Sequence, residues 1–145
     1  MPQVDFYILN VDYASDAGKF PCRLTEKAYR SGLKVFIHTP SELETARLDD
    51  LLWTYKEESF LPHSKITDDP VHGLTPPIIL ACEIDASSAS DILINLSQQT
   101  PQKPDNFKRI AEIIYDTESD KTAARQRFRY YKDIGCNVKT HDINN

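Results

Sequence analysis

Five basic side chains crowd into twelve residues near the end of the chain, and their types define the chemistry to consider first. Residues 121–132 hold three arginines, two lysines and no acidic residue. The whole chain has a formal net charge of −5, so the remaining residues sum to −10 (−5 minus +5). Arginine and lysine bind carboxylates and phosphates through charge-assisted hydrogen bonds. This segment therefore predicts a binding site for an acidic ligand.

A helix over residues 121–132 would gather most of these cations on one side. Ala, Arg, Gln and Lys favour helices, Ser119 is a suitable N-cap, and Gly135 is placed to end the helix in the left-handed conformation. At about 100° per residue, four cations fall within an arc of about 80°. They are Lys121, Arg125, Arg129 and Lys132, with Phe128 beside them.

The opposite side of this helix is predicted to pack inward. It carries Ala123, Ala124, Tyr130, Tyr131 and Ile134. Arg127 falls among these residues, so we expect it to be paired and partly buried, or to extend its guanidinium to the surface. A solvated face is the simpler interpretation of the basic side. However, no acidic residue alternates with the four cations, so they repel one another unless an anion binds.

Residues with catalytic or metal-binding potential are scattered along the chain. The four glycines form neither a G-x-G-x-x-G pattern nor a Walker loop, so no phosphate cradle follows the first strand. The histidines and cysteines lack the spacing of a zinc site. His38 and Asp12 follow neighbouring predicted strands and could meet there, whereas His63 is more typical of a structural hydrogen bond. We therefore predict no catalytic residue, no cofactor and no metal.

Strands and helices alternate along the first half of the chain. We predict strands at residues 4–9, 34–38, 78–82, 91–96 and 109–115, helices at 18–31 and 41–53, and a loop over 64–77. Residues 137–141 are a weak terminal strand or a tail. Ser41, with Glu44 three residues later, has the sequence of a capping box. The strand–helix–strand–helix order favours a sheet that is at least partly parallel.

Composition limits the class of protein. The 145 residues suffice for one domain, residues 1–145, and 40% hydrophobic with 27% charged residues is typical of a globular protein. No apolar run has the length of a membrane span, and no signal sequence begins the chain. The three widely spaced cysteines indicate free thiols, so we expect a cytoplasmic protein. A sequence pI of about 5.3 argues against nucleic-acid binding over the general surface.

Large apolar residues cluster after the second predicted helix. Trp53 ends that helix, and Phe60, Leu61 and Pro62 follow in a segment with few other core signals. These residues either face the core or form an exposed anchor for a protein partner, because aromatic residues are enriched at such anchors.

Several segments, taken together, resemble the chi subunit of the bacterial DNA polymerase III holoenzyme. They are DFYIL at 5–9, YRSGLKV at 29–35, RLDDLLW at 47–53, ESFLPH at 58–63, DILINL at 91–96, and the final helix through residue 135. Their order and spacing hold over nearly the full length. The resemblance implies a single three-layer α/β/α domain with a mostly parallel central sheet, Rossmann-like without a nucleotide site, and no catalytic activity.

The resemblance also implies two protein partners. One is the C-terminal tail of the single-stranded DNA-binding protein, which is rich in Asp and ends in Pro-Phe. The other is psi, the small protein that ties chi to the clamp loader. Contact with DNA would be indirect, and the chain would be monomeric alone or bind psi one to one. The tail-binding residues carry over to Lys121, Arg125, Phe128, Arg129, Lys132 and Ile114. The psi-binding surface carries over to Trp53 and Phe60, with Leu61 and Pro62 beside them.

Two positions depart from the pattern expected of the family. Phe128 stands where a tyrosine is expected, so a hydroxyl contact is missing, and Lys132 stands where an arginine is expected, which weakens bidentate recognition of carboxylates. Residues 64–77 do not match the family closely, and they flank the psi surface. Two other functions stay open from the residues alone: direct binding of single-stranded nucleic acid by the basic helix, and a small α/β nucleotide-dependent enzyme.

Overall fold

One sheet runs through the computed structural model, which describes residues 2–54, 62–65, 77–84 and 88–143. Its strands are β1 (Gln3–Leu9), β2 (Val35–His38), β3 (His63–Lys65), β4 (Ile78–Ala81), β5 (Ser90–Asn95), β6 (Phe107–Ile114) and β7 (Asn137–Ile143). The strand order is β3-β4-β2-β5-β6-β1-β7, and every pairing between neighbours is parallel. The predicted α/β class is confirmed, and the sheet is more uniformly parallel than the sequence pattern required.

Helices cover both faces of this sheet. They are α1 (Tyr13–Asp16), α2 (Lys19–Arg30), α3 (Glu42–Thr54) and α4 (Glu118–Asp133). On one face, Phe20 of α2 and Leu48 of α3 pack in a core with Ile37 of β2. On the other face, Tyr131 of α4 packs in a core with Phe6 of β1. The fold therefore has three layers, as the resemblance implied. None of the described helices is long and apolar enough to cross a bilayer.

Strand β1 lies between β6 and β7, and its register brings three strands together beneath α4. Ile8 is paired with Ile114 of β6, and Phe6 is paired with Thr140 of β7. Because side chains alternate along a strand, Phe6 and Ile8 lie on the same face, and this is the face that α4 covers. A patch of sheet beside α4 is thus built from residues far apart in the sequence.

Helix α4 is capped by a different residue from the one predicted. Thr117 has extended backbone, and its hydroxyl accepts a hydrogen bond from Asp120 N at 3.1 Å, so Thr117 is the N-cap. Ser119, the predicted cap, lies inside the first turn, and its Oγ accepts a hydrogen bond from Gln98 Nε2 at 2.8 Å. Both residue types suit an N-cap, and the point where the chain leaves β6 decides between them. Gly135 has φ +92°, as predicted for the residue that ends the helix.

The segment predicted as a loop over residues 64–77 begins as a strand. His63–Lys65 form β3, which pairs with β4 at one edge of the sheet (His63↔Ile78). A strand of three residues is too short to leave a periodic pattern, so the sequence did not indicate it. Residues 66–76 lie outside the described residues.

Candidate functional site

A groove of about 320 Å³ lies between α4 and the strands β1, β6 and β7. We call it the basic groove, and it is lined by Phe6, Ile8, Ile114, Lys121, Ala124, Arg125, Phe128, Arg129 and Thr140. Five of the six residues predicted for tail binding are in this lining: four lie on the side of α4 that faces the sheet, and Ile114 is the last residue of β6. The exception is Lys132.

The floor of the basic groove is apolar. Ile114 and Phe6 are buried in the sheet, and Phe128 of α4 packs on Phe6 with ring centroids 5.5 Å apart. Ile8 and Thr140 complete the sheet side. Sequence reasoning missed Phe6, Ile8 and Thr140. The alternation of Phe6 and Ile8 along β1 marks one face of that strand, but only the strand order shows that this face and Thr140 of β7 lie beside the basic helix.

Two free cations stand at the rim of the basic groove. Arg125 and Arg129 are exposed, and neither forms an ion pair with any of the described residues. Lys121 differs, because its Nζ lies 2.7 Å from Asp116 Oδ1. That hydrogen bond and the charge of Asp116 raise the pKa of Lys121. The expectation that this face has no acidic partner is therefore wrong for Lys121. Asp116 lies before the helix, so the helical periodicity of the cations did not include it.

Lys132 lies beside the basic groove and does not line it. Its Nζ is 5.4 Å from the centre of the Phe128 ring, within the range of a cation–π contact. The ammonium group of Lys132 therefore lies over the Phe128 ring, outside the lining of the groove.

A buried ion pair holds α4 in this orientation. Arg127, which was predicted to be paired, is buried, and its Nε donates to Glu112 Oε1 at 3.0 Å. Glu112 also accepts from Tyr131 Oη at 2.6 Å and from Asn95 Nδ2 at 3.0 Å. Burial raises the pKa of Glu112, and Arg127 opposes that shift most strongly. The same helix thus turns one arginine into the sheet and presents others at the groove.

A second surface surrounds Trp53 at the end of α3. The indole is 51% exposed, so it does not face the core, and its ring centre lies 4.3 Å from that of His63. His63 is buried, and its Nε2 lies 3.1 Å from the Asp49 carbonyl, so it has the structural role expected. Pro62 is partly buried. Phe60 and Leu61, also predicted for this surface, lie outside the described residues.

The possible catalytic pair of His38 and Asp12 does not form. His38 Nδ1 lies 3.1 Å from Asn95 Oδ1, and its Nε2 lies 3.1 Å from the Cys82 carbonyl. Asp12 instead caps α1 by accepting from Ser15 N at 2.8 Å. Within the described ranges, no three His, Cys, Asp or Glu side chains converge as metal ligands would.

Burial of His38 has a consequence for stability against pH. Desolvation lowers the pKa of His38 below 6.5, so the unfolded chain takes up a proton that the folded protein does not. The contribution of His38 to stability is therefore complete above about pH 6.5 and is lost as the pH falls towards the folded pKa. The free energy of unfolding can be measured in urea at pH 7.5, 6.5 and 5.5. As the pH falls, it should decline less steeply for His38→Gln than for the parent, by up to about 1.4 kcal/mol per pH unit. Equal slopes would contradict this account.

The fold and the groove define a parallel α/β protein whose helix α4 presents exposed arginines beside an apolar floor. Comparison with known proteins narrows this class. The family model described as "DNA polymerase III chi subunit, HolC" matches residues 1–139. DNA polymerase III subunit chi of Pseudomonas aeruginosa is 34% identical over 143 residues, which cover 99% of this chain and 98% of that protein.

Two further relatives carry the same name. DNA polymerase III subunit chi of Escherichia coli K12 is 31% identical over 144 residues, and that of Haemophilus influenzae is 29% identical over 138 residues. These matches cover 97% and 95% of both chains, respectively. The chain therefore belongs to the DNA polymerase III chi subunit family and is part of the DNA replication machinery. It is an accessory subunit of the polymerase, and this places it in a complex with protein partners.

Proposed function

We propose that this subunit is a non-catalytic adaptor of the replicative polymerase in the cytoplasm. It links the clamp loader, through psi, to the acidic C-terminal tail of the single-stranded DNA-binding protein. The observation that carries the proposal is the basic groove, where free arginines border an apolar floor. An acidic peptide that ends in an aromatic residue has the two matching features. The adaptor acts as one domain, is monomeric alone or paired one to one with psi, and contacts DNA only indirectly.

Each part of the tail has a counterpart in the basic groove. Arg125 and Arg129 hold carboxylates through charge-assisted hydrogen bonds, which are stronger than neutral ones. Lys121 attracts the aspartates that precede the end of the tail peptide, although Asp116 of this chain offsets part of the charge of Lys121. The terminal ring packs on Phe128 and Ile114, where it leaves water. A short disordered peptide is ordered on binding, so affinity in the micromolar range that weakens with salt is expected.

Direct binding of single-stranded nucleic acid receives less support. Such binding uses aromatic rings as platforms on which bases stack, next to basic side chains. The candidate platforms on α4 are Tyr130 and Tyr131. Tyr131 is fully buried and its hydroxyl is bonded to Glu112, while Tyr130 is partly buried against it, with ring centres 5.7 Å apart. Phe128 alone lies at the basic side.

Capture by the immobilised chain tests the tail interaction. Single-stranded DNA-binding protein with its complete tail should be retained, and the same protein without its last few residues should not be. Bare single-stranded DNA of equal concentration serves as the comparison. Retention that does not depend on the tail, or stronger retention of bare DNA, would contradict the proposal.

The psi interaction is tested at Trp53. Replacing Trp53 by Ala should weaken psi binding by about 2 kcal/mol, because a half-exposed indole is typical of an interface hot spot. Leu43→Ala is the matched control, since Leu43 is 60% exposed near the start of the same helix. Calorimetry with psi should show the loss for Trp53→Ala alone, and affinity for the tail should be unchanged. Equal effects of the two substitutions would show that Trp53 is not a specific anchor for psi.

A further inference from the structure

A second and larger cavity, of about 590 Å³, lies at the carboxyl ends of the central strands. We call it the crevice. Strand β2 leads into α3 on one face of the sheet, and β6 leads towards α4 on the other face, so the crevice lies where the chain changes sides. Ligands of open parallel sheets bind at such points. Its volume is in the range typical of small-molecule sites.

The charges of the crevice are unlike those of a phosphate site. Glu44 and Asp120 line it, and no Lys or Arg does among the residues that the structure describes. The helix starts offer little to an anion, because Glu44 N donates to Ser41 Oγ at 3.2 Å and Asp120 N donates to Thr117 Oγ1 at 3.1 Å. Burial lowers the pKa of His38, the one imidazole in the lining, so it adds no positive charge near neutral pH. Phosphates are therefore disfavoured there.

One carboxylate oxygen of Glu44 has no hydrogen-bond donor among the described residues. In a complete capping box this carboxylate would return to the Ser41 backbone, but its Oε1 accepts from Arg47 Nη1 at 3.0 Å. Oε2 is shielded from solvent and has no hydrogen-bond partner among the residues that the structure describes. Burial, and then the hydrogen-bonding influence and charge of the adjacent Glu44 carboxylate, raise the pKa of Tyr13 to about 12. The Tyr13 hydroxyl therefore lies near Glu44, but the geometry does not satisfy Oε2. A shielded carboxylate oxygen without a donor is costly and is matched by a cationic donor.

The crevice also offers apolar contact around this carboxylate. Leu48 and Leu96 line it, and the Tyr13 ring stands edge-on to Tyr115 with centroids 5.3 Å apart. Aromatic rings of this kind attract cations as well as aliphatic groups. We propose that the crevice binds an alkyl guanidinium or ammonium group, carried by a small molecule or by an Arg or Lys side chain of a partner peptide, with Glu44 as its counter-ion. This site is separate from the basic groove and does not depend on the proposed adaptor role.

Titration of the full chain, followed by amide NMR, tests the proposal. The probes are agmatine and N-acetyl-arginine-N-methylamide, and the neutral control is the citrulline analogue of the second. Both cations should shift resonances around Tyr13 and Cys82, and the citrulline compound should not. Agmatine binding without binding of the capped arginine would assign the site to small molecules, whereas binding of both would admit a peptide side chain. Absence of binding by either cation, or equal binding by the neutral analogue, would overturn the proposal.

Variants on α3 test whether Glu44 itself, and not the general negative charge of the helix, binds the cation. Glu44→Gln should weaken agmatine at least 10-fold, and Glu42→Gln, an exposed acid in the same helical turn, should leave binding unchanged. Arg47→Gln removes the competing cation from Glu44 and should strengthen binding. A gain of affinity is not a result that misfolding produces, so this variant keeps the test decisive if Glu44→Gln is unstable. Equal effects of Glu42→Gln and Glu44→Gln would overturn the assignment.

Discussion

Replacing Arg127 with Met is expected to lower the free energy of unfolding by about 3–5 kcal/mol, because it leaves a buried carboxylate without its counter-ion. The substitution keeps most of the side-chain volume and removes the charge. Glu112 then remains fully buried with Tyr131 and Asn95 as donors but without a counter-ion. Urea unfolding followed by circular dichroism measures the loss. A decrease below about 1 kcal/mol would show that the pair contributes little.

Arg129→Met is the matched control for this experiment. It makes the same change two residues later on α4, at an exposed position without an ion pair among the described residues. Surface substitutions of this kind usually change stability by less than about 0.5 kcal/mol. Adding Glu112→Gln to Arg127→Met should recover part of the loss, because the amide replaces the uncompensated charge.

The pH dependence of Arg127→Met provides a second readout. Burial already raises the pKa of Glu112, and removing Arg127 removes the strongest opposing influence, so the pKa rises further. A group whose folded pKa lies above its unfolded value contributes most at low pH and loses that contribution as the pH rises. The deficit of Arg127→Met should therefore be greater at pH 8 than at pH 5. A deficit that is the same at both values would indicate that lost packing, and not the charge of Glu112, is responsible.

The helical wheel of α4 could be predicted from the sequence because helix periodicity is a local property. It placed Arg127 on the buried side and Arg125 on the basic side, and the structure agrees at both positions. The acidic partner of Arg127 could not be predicted, since Glu112 lies on strand β6 and not on the helix. The same reason accounts for the Lys121–Asp116 pair, which joins the helix to the turn before it.

The floor of the basic groove required knowledge of strand order. Phe6 lies more than a hundred residues before Phe128 in the sequence, and nothing local shows that they meet. Parallel strands are joined by crossovers, so neighbours in the sheet are distant in the chain. Ile114 was assigned through the family resemblance alone; it is paired with Ile8 and lines the basic groove. Its role in binding a tail stays a prediction.

The contrast between Arg127 and Arg125 separates an effect expected on stability from an effect expected on binding. Arg127 is bonded on the sheet side, so its loss should act on folding. Arg125 is exposed at the groove, so its loss should lower affinity for the tail and leave the free energy of unfolding nearly unchanged. The two effects are therefore measurable in the same set of variants without one obscuring the other.

Arg125→Ala is expected to lower affinity for the acidic tail by about 1.5–3 kcal/mol, which is about 10- to 150-fold in Kd. Arg125 lines the groove beside an apolar floor, and a charge-assisted bond from its guanidinium to a carboxylate is stronger than a neutral hydrogen bond. Titration calorimetry with a synthetic tail peptide measures the change. Arg30→Ala, an exposed arginine at the end of α2, is the matched control and should leave affinity unchanged.

The salt dependence of binding and the terminal residue of the peptide then distinguish this site from general charge attraction. For the parent, affinity should fall as salt rises, and Arg125→Ala should reduce that dependence because one cation is missing. Removing the terminal Phe of the peptide should weaken binding to the parent and to Arg125→Ala alike, since the proposed contacts of the ring are with Phe128 and Ile114 and not with the guanidinium. If Arg125→Ala binds the complete tail as tightly as the parent does, α4 is not the site. If only the charges of the peptide matter and its terminal ring does not, the apolar floor has no part in recognition.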